Sequence, residues 1–234
     1  MNFDIVSYLM GKGVGGGTGS SDYTITTTKY NLAEISNIDF SPKIDKFSVI
    51  ATNDTYPNFQ AAGFFSYITG VNEVELTTAQ KPKTAAYFGR LSDYEKITIH
   101  TSFDQCTDLQ WFCGVCPNLK EILGEPLDFS ANTAAFNSTF AGDELLETVR
   151  FVPSCINRSL DLYSCPSLSD DSVISIANGL DETATGYSLR LYTTQKTRCG
   201  LIVGVVSSGL FVQDDAGTMT LTDFITTVKG WTLA

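Results

Sequence analysis

Cys106-Thr-Asp-Leu109, Cys116-Pro-Asn-Leu119 and Cys165-Pro-Ser-Leu168 all read C-x-x-L, and the first two run on to an apolar residue three places later, Phe112 and Ile122. A degenerate copy, Gly142-Asp-Glu-Leu145, leads to Val149. Short apolar alternations recur at matching intervals: Val74-Glu-Leu76, Ile97-Thr-Ile99, Glu121-Ile-Leu123 and Val149-Arg-Phe151, with starts 23, 24 and 28 residues apart. Self-similarity at such a period marks an architecture of stacked repeats. One unit of this kind offers a short strand and a small turn or helix, too little to bury its own apolar side, so neighbours must stack into a continuous core. The expected core is Cys106, Leu109, Cys116, Leu119, Ile122, Leu145, Val149, Cys165 and Leu168. Cysteine suits it because a thiol is compact and apolar enough to be fully buried.

Working outward, residues 2–10 form a short apolar segment, and Gly11 to Gly19 hold six glycines in nine positions. That is the composition of a flexible tether, so residues 1–21 read as a docking segment. Phe3, Ile5, Val6, Tyr8, Leu9 and Met10 are the side chains expected to lose water on a neighbouring chain. Residues 22–72 are β-rich and bounded by turn residues, and read as a small adaptor or as a cap on the first repeat. The array is expected over 73–168. Beyond it, Ser169 caps a helix whose first turn holds Asp170 and Asp171 and which Gly179 is expected to end in left-handed conformation. Leu201–Val206 and Leu210–Gln213 are expected to pair, and Thr220-Leu-Thr-Asp223 opens a last helix ahead of Gly230.

Composition narrows the function. The 234 residues carry 15 Lys+Arg against 26 Asp+Glu, a formal net charge of −11. Up to His100 the balance is 8 against 10, and beyond it 7 against 16. Such a surface repels phosphate backbones, so no nucleic-acid partner is expected. The longest apolar runs are too short to span a bilayer, and no membrane insertion is expected. The opening Met1-Asn-Phe-Asp has no basic leader region, so no secretion signal is expected either.

Cys113-Gly-Val-Cys116 could be a redox pair or half of a zinc site, but no second C-x-x-C exists and His100 is the lone histidine. Cys116 is already a repeat position, and a buried repeat cysteine is the expectation. The sequence Gly11-Lys-Gly-Val-Gly-Gly16 satisfies G-x-G-x-x-G, yet no helix-forming sequence follows to meet a pyrophosphate. A nucleophile, base and orienting acid are hard to assemble around one histidine at a strand end, and nothing positive supports a carboxylate pair, so no catalytic residue, cofactor or metal is expected.

The spacing, together with Phe103-Asp-Gln-Cys106-Thr-Asp-Leu109, the run Glu147–Ser154, Ser159–Asp171 and the tail Lys229–Ala234, resembles leucine-rich repeats of the BspA-like kind. The resemblance covers roughly 73–234 and is most specific after Glu147. It departs from that family over residues 199–218, an insertion before the final helix. Asn2-Phe-Asp-Ile-Val-Ser-Tyr-Leu-Met-Gly-Lys12 is similar to the start of phage and prophage structural proteins whose N-terminus docks on the virion. The resemblance implies an α/β-type, leucine-rich-repeat-like solenoid rich in short strands, with an N-terminal apolar arm and a small β-rich module. It further implies a non-enzymatic virion fibre, spike or decoration subunit: held to other virion proteins through residues 1–21, homo-oligomeric, and displaying its repeats toward a host-surface receptor or glycan. A bacterial cell-surface adhesin is the alternative, and a metal or redox protein using Cys113 and Cys116 the remote one.

Overall fold

A computed structural model describes residues 22–27, 36–52, 60–136 and 138–234. The docking segment 1–21 lies outside them. The chain is a parallel β-solenoid of about 6 turns with few helices. Five strands, β1 (Asp22–Thr27), β2 (Asp39–Ala51), β3 (Thr69–Thr78), β4 (Lys96–His100) and β5 (Glu121–Gly124), form one parallel sheet in chain order.

Period-two alternation divides this sheet into two faces. Phe47, Val74, Ile97 and Ile122 stand in register and are buried; one residue past the Glu121–Thr148 bridge, Val149 continues the row. Val49, Leu76 and Ile99 make a second inward row. Outward, Asp22, Lys46, Glu73, Lys96 and Glu121 stand in register with alternating sign. Lys46 lies 3.4 Å from Glu73, and Lys96 lies 3.0 Å from Glu121. In the next outward row Glu75 accepts from Ser48 at 2.7 Å and meets Lys46 at 2.9 Å and His100 at 2.9 Å. Lys46 and Lys96 are thus paired within the outer sheet face.

Two expectations about boundaries need correction. A border at 72/73 falls inside β3, and β1 and β2 pair in the same parallel sheet as the repeats, which suits the cap reading of residues 22–72 over a separate adaptor. They carry the inward row without the C-x-x-L signature. Leu145 is 41% exposed while its neighbour Leu146 is fully buried, because the turn after Asp143 is shifted by one residue relative to the cysteine-containing copies. The other eight expected core residues are all buried.

Phenylalanine fills the solenoid from end to end. Phe47 meets Phe65 at 6.2 Å, Phe65 meets Phe88 at 5.7 Å, and Phe88 stacks on Phe112 at 4.9 Å with the rings 7° apart. Phe112 continues edge-on to Phe129 at 5.8 Å, which meets Phe151 at 5.3 Å. Buried thiols link turns as well. Cys106 donates to the carbonyl of Pro82, Cys116 to Gly89, Cys155 to Leu127 and Cys165 to Phe140, each in the preceding turn. The cysteines therefore fill volume and also satisfy carbonyls that would otherwise be buried without a partner.

At the C-terminal end α1 (Asp170–Gly179), capped by Ser169, lies along the open ladder. Ser172 and Ser175 accept from the N–H groups of Val149 and Phe151, so helix hydroxyls stand where the next strand's carbonyls would be. An unpaired sheet edge is covered in this way. Gly179 remains helical and the helix ends at Leu180 in extended conformation, so no left-handed stop exists there. A Cβ on Gly179 would come within 3.0 Å of Phe151 and Ile156, and close packing is the reason for glycine.

A second parallel sheet joins β6 (Leu160–Leu162), β7 (Ser188–Leu191) and β11 (Thr232–Leu233). Between β7 and β11 come α2 (Thr193–Cys199), the antiparallel pair β8 (Val203–Ser207) and β9 (Leu210–Gln213), and β10 (Met219–Thr220) against β8. The expected pairing of the inserted segment is what forms. Thr220 caps α3 (Leu221–Asp223), which continues as a π-helical turn over Phe224–Val228. Trp231 is buried and donates to the carbonyl of Asp181 at 2.9 Å, closing the end of the stack.

Two outcomes follow. Phe112→Ala removes a ring in contact with four others, Phe88, Phe103, Phe129 and Phe140, and should cost about 3–5 kcal/mol in equilibrium unfolding; a loss under 1 kcal/mol would show that the spine does not carry the stack. The second concerns acid. Burial alone would raise the Glu75 carboxyl, but hydrogen bonds from Ser48, Lys46 and His100 and the Lys46 charge hold it down at about 2. Its folded-state value lies below the unfolded one, so its stabilisation is present above the ordinary carboxylate range and is lost as pH falls toward 2. The melting-temperature gap between the wild type and Glu75→Gln should therefore be widest at neutral pH and close between about pH 4.5 and 2.

Candidate functional site

The corners opposite the sheet repeat an unusual backbone. Residues 63, 87, 111 and 138 all have positive φ (69°, 59°, 53° and 54°), and so do 67, 91, 115 and 142 (56°, 56°, 64° and 80°). Each inner turn thus carries two left-handed residues, four positions apart. This conformation favours glycine, and an L side chain there costs roughly 1–2 kcal/mol. Glycine occupies only one end of each row, Gly63 in the first and Gly142 in the second; the other six positions hold Tyr87, Trp111 and Ser138, and Tyr67, Leu91 and the β-branched Val115. Backbone strain retained in this way is characteristic of sites where the side chain is needed.

The corners are fixed from turn to turn. Tyr67 N–H donates to the carbonyl of Arg90 at 3.0 Å, Tyr87 to Gln110 at 2.9 Å, Leu91 to Gly114 at 3.3 Å and Val115 to Ala141 at 2.6 Å. Ser66 Oγ donates to the carbonyl of Tyr87, and Ser92 Oγ to that of Phe65. Side chains at these corners face solvent: Tyr67 is 45% exposed and Tyr87 40%, with Leu91 and Val115 comparable. The half-buried Trp111 ring lies over Gly114, where a Cβ would come within 2.7 Å of it.

Arg90 ties the row together. Its guanidinium carbon is 5.3 Å from the centroid of Tyr87 and 5.0 Å from that of Trp111. Ser36, Asn37, Gly63, Ser66, Tyr67, Tyr87 and Arg90 line a groove of about 280 Å³ beside it. A larger groove of about 620 Å³ sits near the C-terminal sheet, with Arg158 over Tyr187 at 5.5 Å and Arg190 on its wall. Arg190 also packs over Tyr163 at 4.4 Å and is neutralised by Asp161 at 3.1 Å.

Cys113 and Cys116 lie in the interior, where burial pushes both thiols up. Thiolate is the form that metal binding and redox exchange use, and here it is disfavoured. Neighbouring Asp143 is buried too; Oδ1 accepts from Cys116 N–H at 2.8 Å, and burial pushes its carboxyl pKa up, against the backbone hydrogen bonds that favour the charged form. Among the described residues, no group of three or more His, Cys, Asp or Glu is placed to hold a metal ion. His100 ends β4 against Glu75. Among the described residues, no helix is long and apolar enough to cross a membrane.

Sequence inspection had marked no residue of the aromatic corner. The available signal is the recurrence of an aromatic or large apolar residue at Tyr67, Tyr87, Leu91, Trp111 and Val115, with glycine at one end of each row. Compared with known protein families, curated proteins and solved structures, the chain shows no significant match.

A stability comparison tests the corner directly. Tyr87→Gly relieves the left-handed backbone, whereas Tyr87→Ala keeps it, so the glycine variant should be the more stable by about 1 kcal/mol in urea unfolding. In ordinary extended or helical backbone the order reverses, and that result would remove the strain from the account.

Proposed function

We propose that the chain is a non-enzymatic structural and adhesion subunit of a phage-like particle, a fibre, spike or decoration protein. Residues 1–21 anchor it, and the solenoid is held outward to bind the host surface. The observation that carries the binding half is the row of exposed Tyr67 and Tyr87 with the half-buried Trp111 on strained corners that are fixed from turn to turn. Tyrosine and tryptophan supply large contact area at small entropy cost, and a rigid support lowers the cost further. The stacked core provides that support.

The anchoring half rests on sequence: the apolar Phe3, Ile5, Val6, Tyr8, Leu9 and Met10 ahead of a glycine tether, and the resemblance of this segment to phage structural proteins. Burying six such side chains contributes on the order of several kcal/mol per copy, less the cost of ordering the arm. A homo-oligomer or many copies on one particle would multiply weak contacts at the corner into avid adhesion.

Deletion of residues 1–21 should leave a folded protein with an unchanged melting temperature that no longer joins its particle. Full incorporation of the truncated chain into particles would rule out the anchor.

A further inference from the structure

We propose that Arg90 is the recognition point for a carboxylate-bearing sugar residue, in the groove that it forms with Tyr67, Tyr87, Ser66 and Asn37. The proposal deepens the adhesion function of this corner and rests on it.

The first argument is the state of the arginine. The chain contains five arginines. Arg150 donates to the carbonyl of Gly124, Arg158 to that of Asn157, Arg190 to Asp161, and Arg198 pairs with Asp170. Among the described residues, Arg90 is the arginine with neither a carboxylate partner nor a side-chain hydrogen bond, and its Nε is buried without an acceptor. In a chain with 26 acidic residues, a guanidinium with no carboxylate partner and a buried Nε without an acceptor is costly and conspicuous. Its cost is met in part by the Tyr87 and Trp111 rings, which hold the plane of the group in place. What those rings cannot supply is an in-plane acceptor. A carboxylate can, through two parallel N–H···O bonds to the guanidinium fork.

The second argument is the surroundings. The groove is about 280 Å³, closer to one sugar residue than to a cofactor-sized ligand. Its walls combine exposed tyrosine with Ser66 and Asn37, which suits a ligand with apolar ring faces and hydroxyl edges. Net charge selects further. A chain at −11 repels a dense polyanion, so the favoured ligand carries isolated negative groups among neutral ones. Arg190 provides the contrast: it lies on an aromatic ring too, but Asp161 already satisfies it.

The test measures binding of the full chain to three immobilised ligands: an acidic polysaccharide containing uronic acid, the same polysaccharide with its carboxyls reduced to alcohols, and a phosphodiester-linked wall polymer. Arg90→Gln and Arg90→Lys variants are run beside the wild type, with melting curves to confirm folding. The expected result is binding to the carboxylated form, about tenfold weaker for its reduced counterpart and for Arg90→Gln, with Arg90→Lys between them and added salt weakening the wild type. The reduced-ligand arm needs no variant, so a misfolded mutant does not decide the outcome. Equal affinity for the reduced polysaccharide overturns the carboxylate assignment while leaving corner adhesion intact. Preference for the phosphodiester polymer overturns it in favour of phosphate. Failure to bind any of the three by a chain that still adheres to host cells overturns a sugar ligand, and failure to adhere at all removes the adhesion function itself.

Discussion

The ring of Phe112 lies parallel to Phe88 and edge-on to Phe103, Phe129 and Phe140. It meets a requirement that no single turn can meet. One turn of this chain has a sheet strand, two corners and little thickness, and its apolar side is buried only when another turn covers it. Aromatic overlap between turns, the inward rows from Phe47 to Val149 and the thiol-to-carbonyl bonds of four cysteines all act across the same seam. The outer charges follow from that register, since parallel in-register stacking sets Lys46 beside Glu73 and Lys96 beside Glu121.

Stacking also creates the corner surface. Tyr67, Tyr87, Arg90 and Trp111 belong to three successive turns, and only their superposition sets an arginine between two rings. The corner backbone bonds hold Tyr67 and Tyr87 in left-handed conformation against their preference, so the stability of the core is what keeps them displayed. Rigidity and display are therefore two consequences of one packing scheme. The C-terminal elements protect it: α1 satisfies the open ladder through Ser172 and Ser175, and Trp231 seals the end.

Much of the solenoid was legible in the residues. The spacing of Cys106, Cys116 and Cys165, with Leu109, Leu119 and Leu168, identified stacked units because burial imposes one small residue and one branched residue per turn. Leu145 misled because Leu145 and Leu146 are adjacent and spacing alone cannot tell which points inward. β1 and β2 read as an adaptor or a cap rather than as further repeats because the first turns lack the cysteine mark and differ in length, although Phe47 and Val49 carry the same inward alternation. The spine of Phe64, Phe88, Phe112 and Phe140 was equally periodic, yet an aromatic in a short segment can face either side. The corner site was hidden for a different reason. Positive φ at tyrosine, tryptophan and valine contradicts local preference, and tertiary packing alone enforces it.

Hydroxyl-radical footprinting of the chain on intact host surface tests the central claim most directly, because tyrosine and tryptophan report their own solvent exposure. The account predicts that Tyr67, Tyr87 and Trp111 become protected on binding while His100 on the outer sheet face keeps its reactivity. Protection of the sheet face with an unchanged aromatic corner would contradict it.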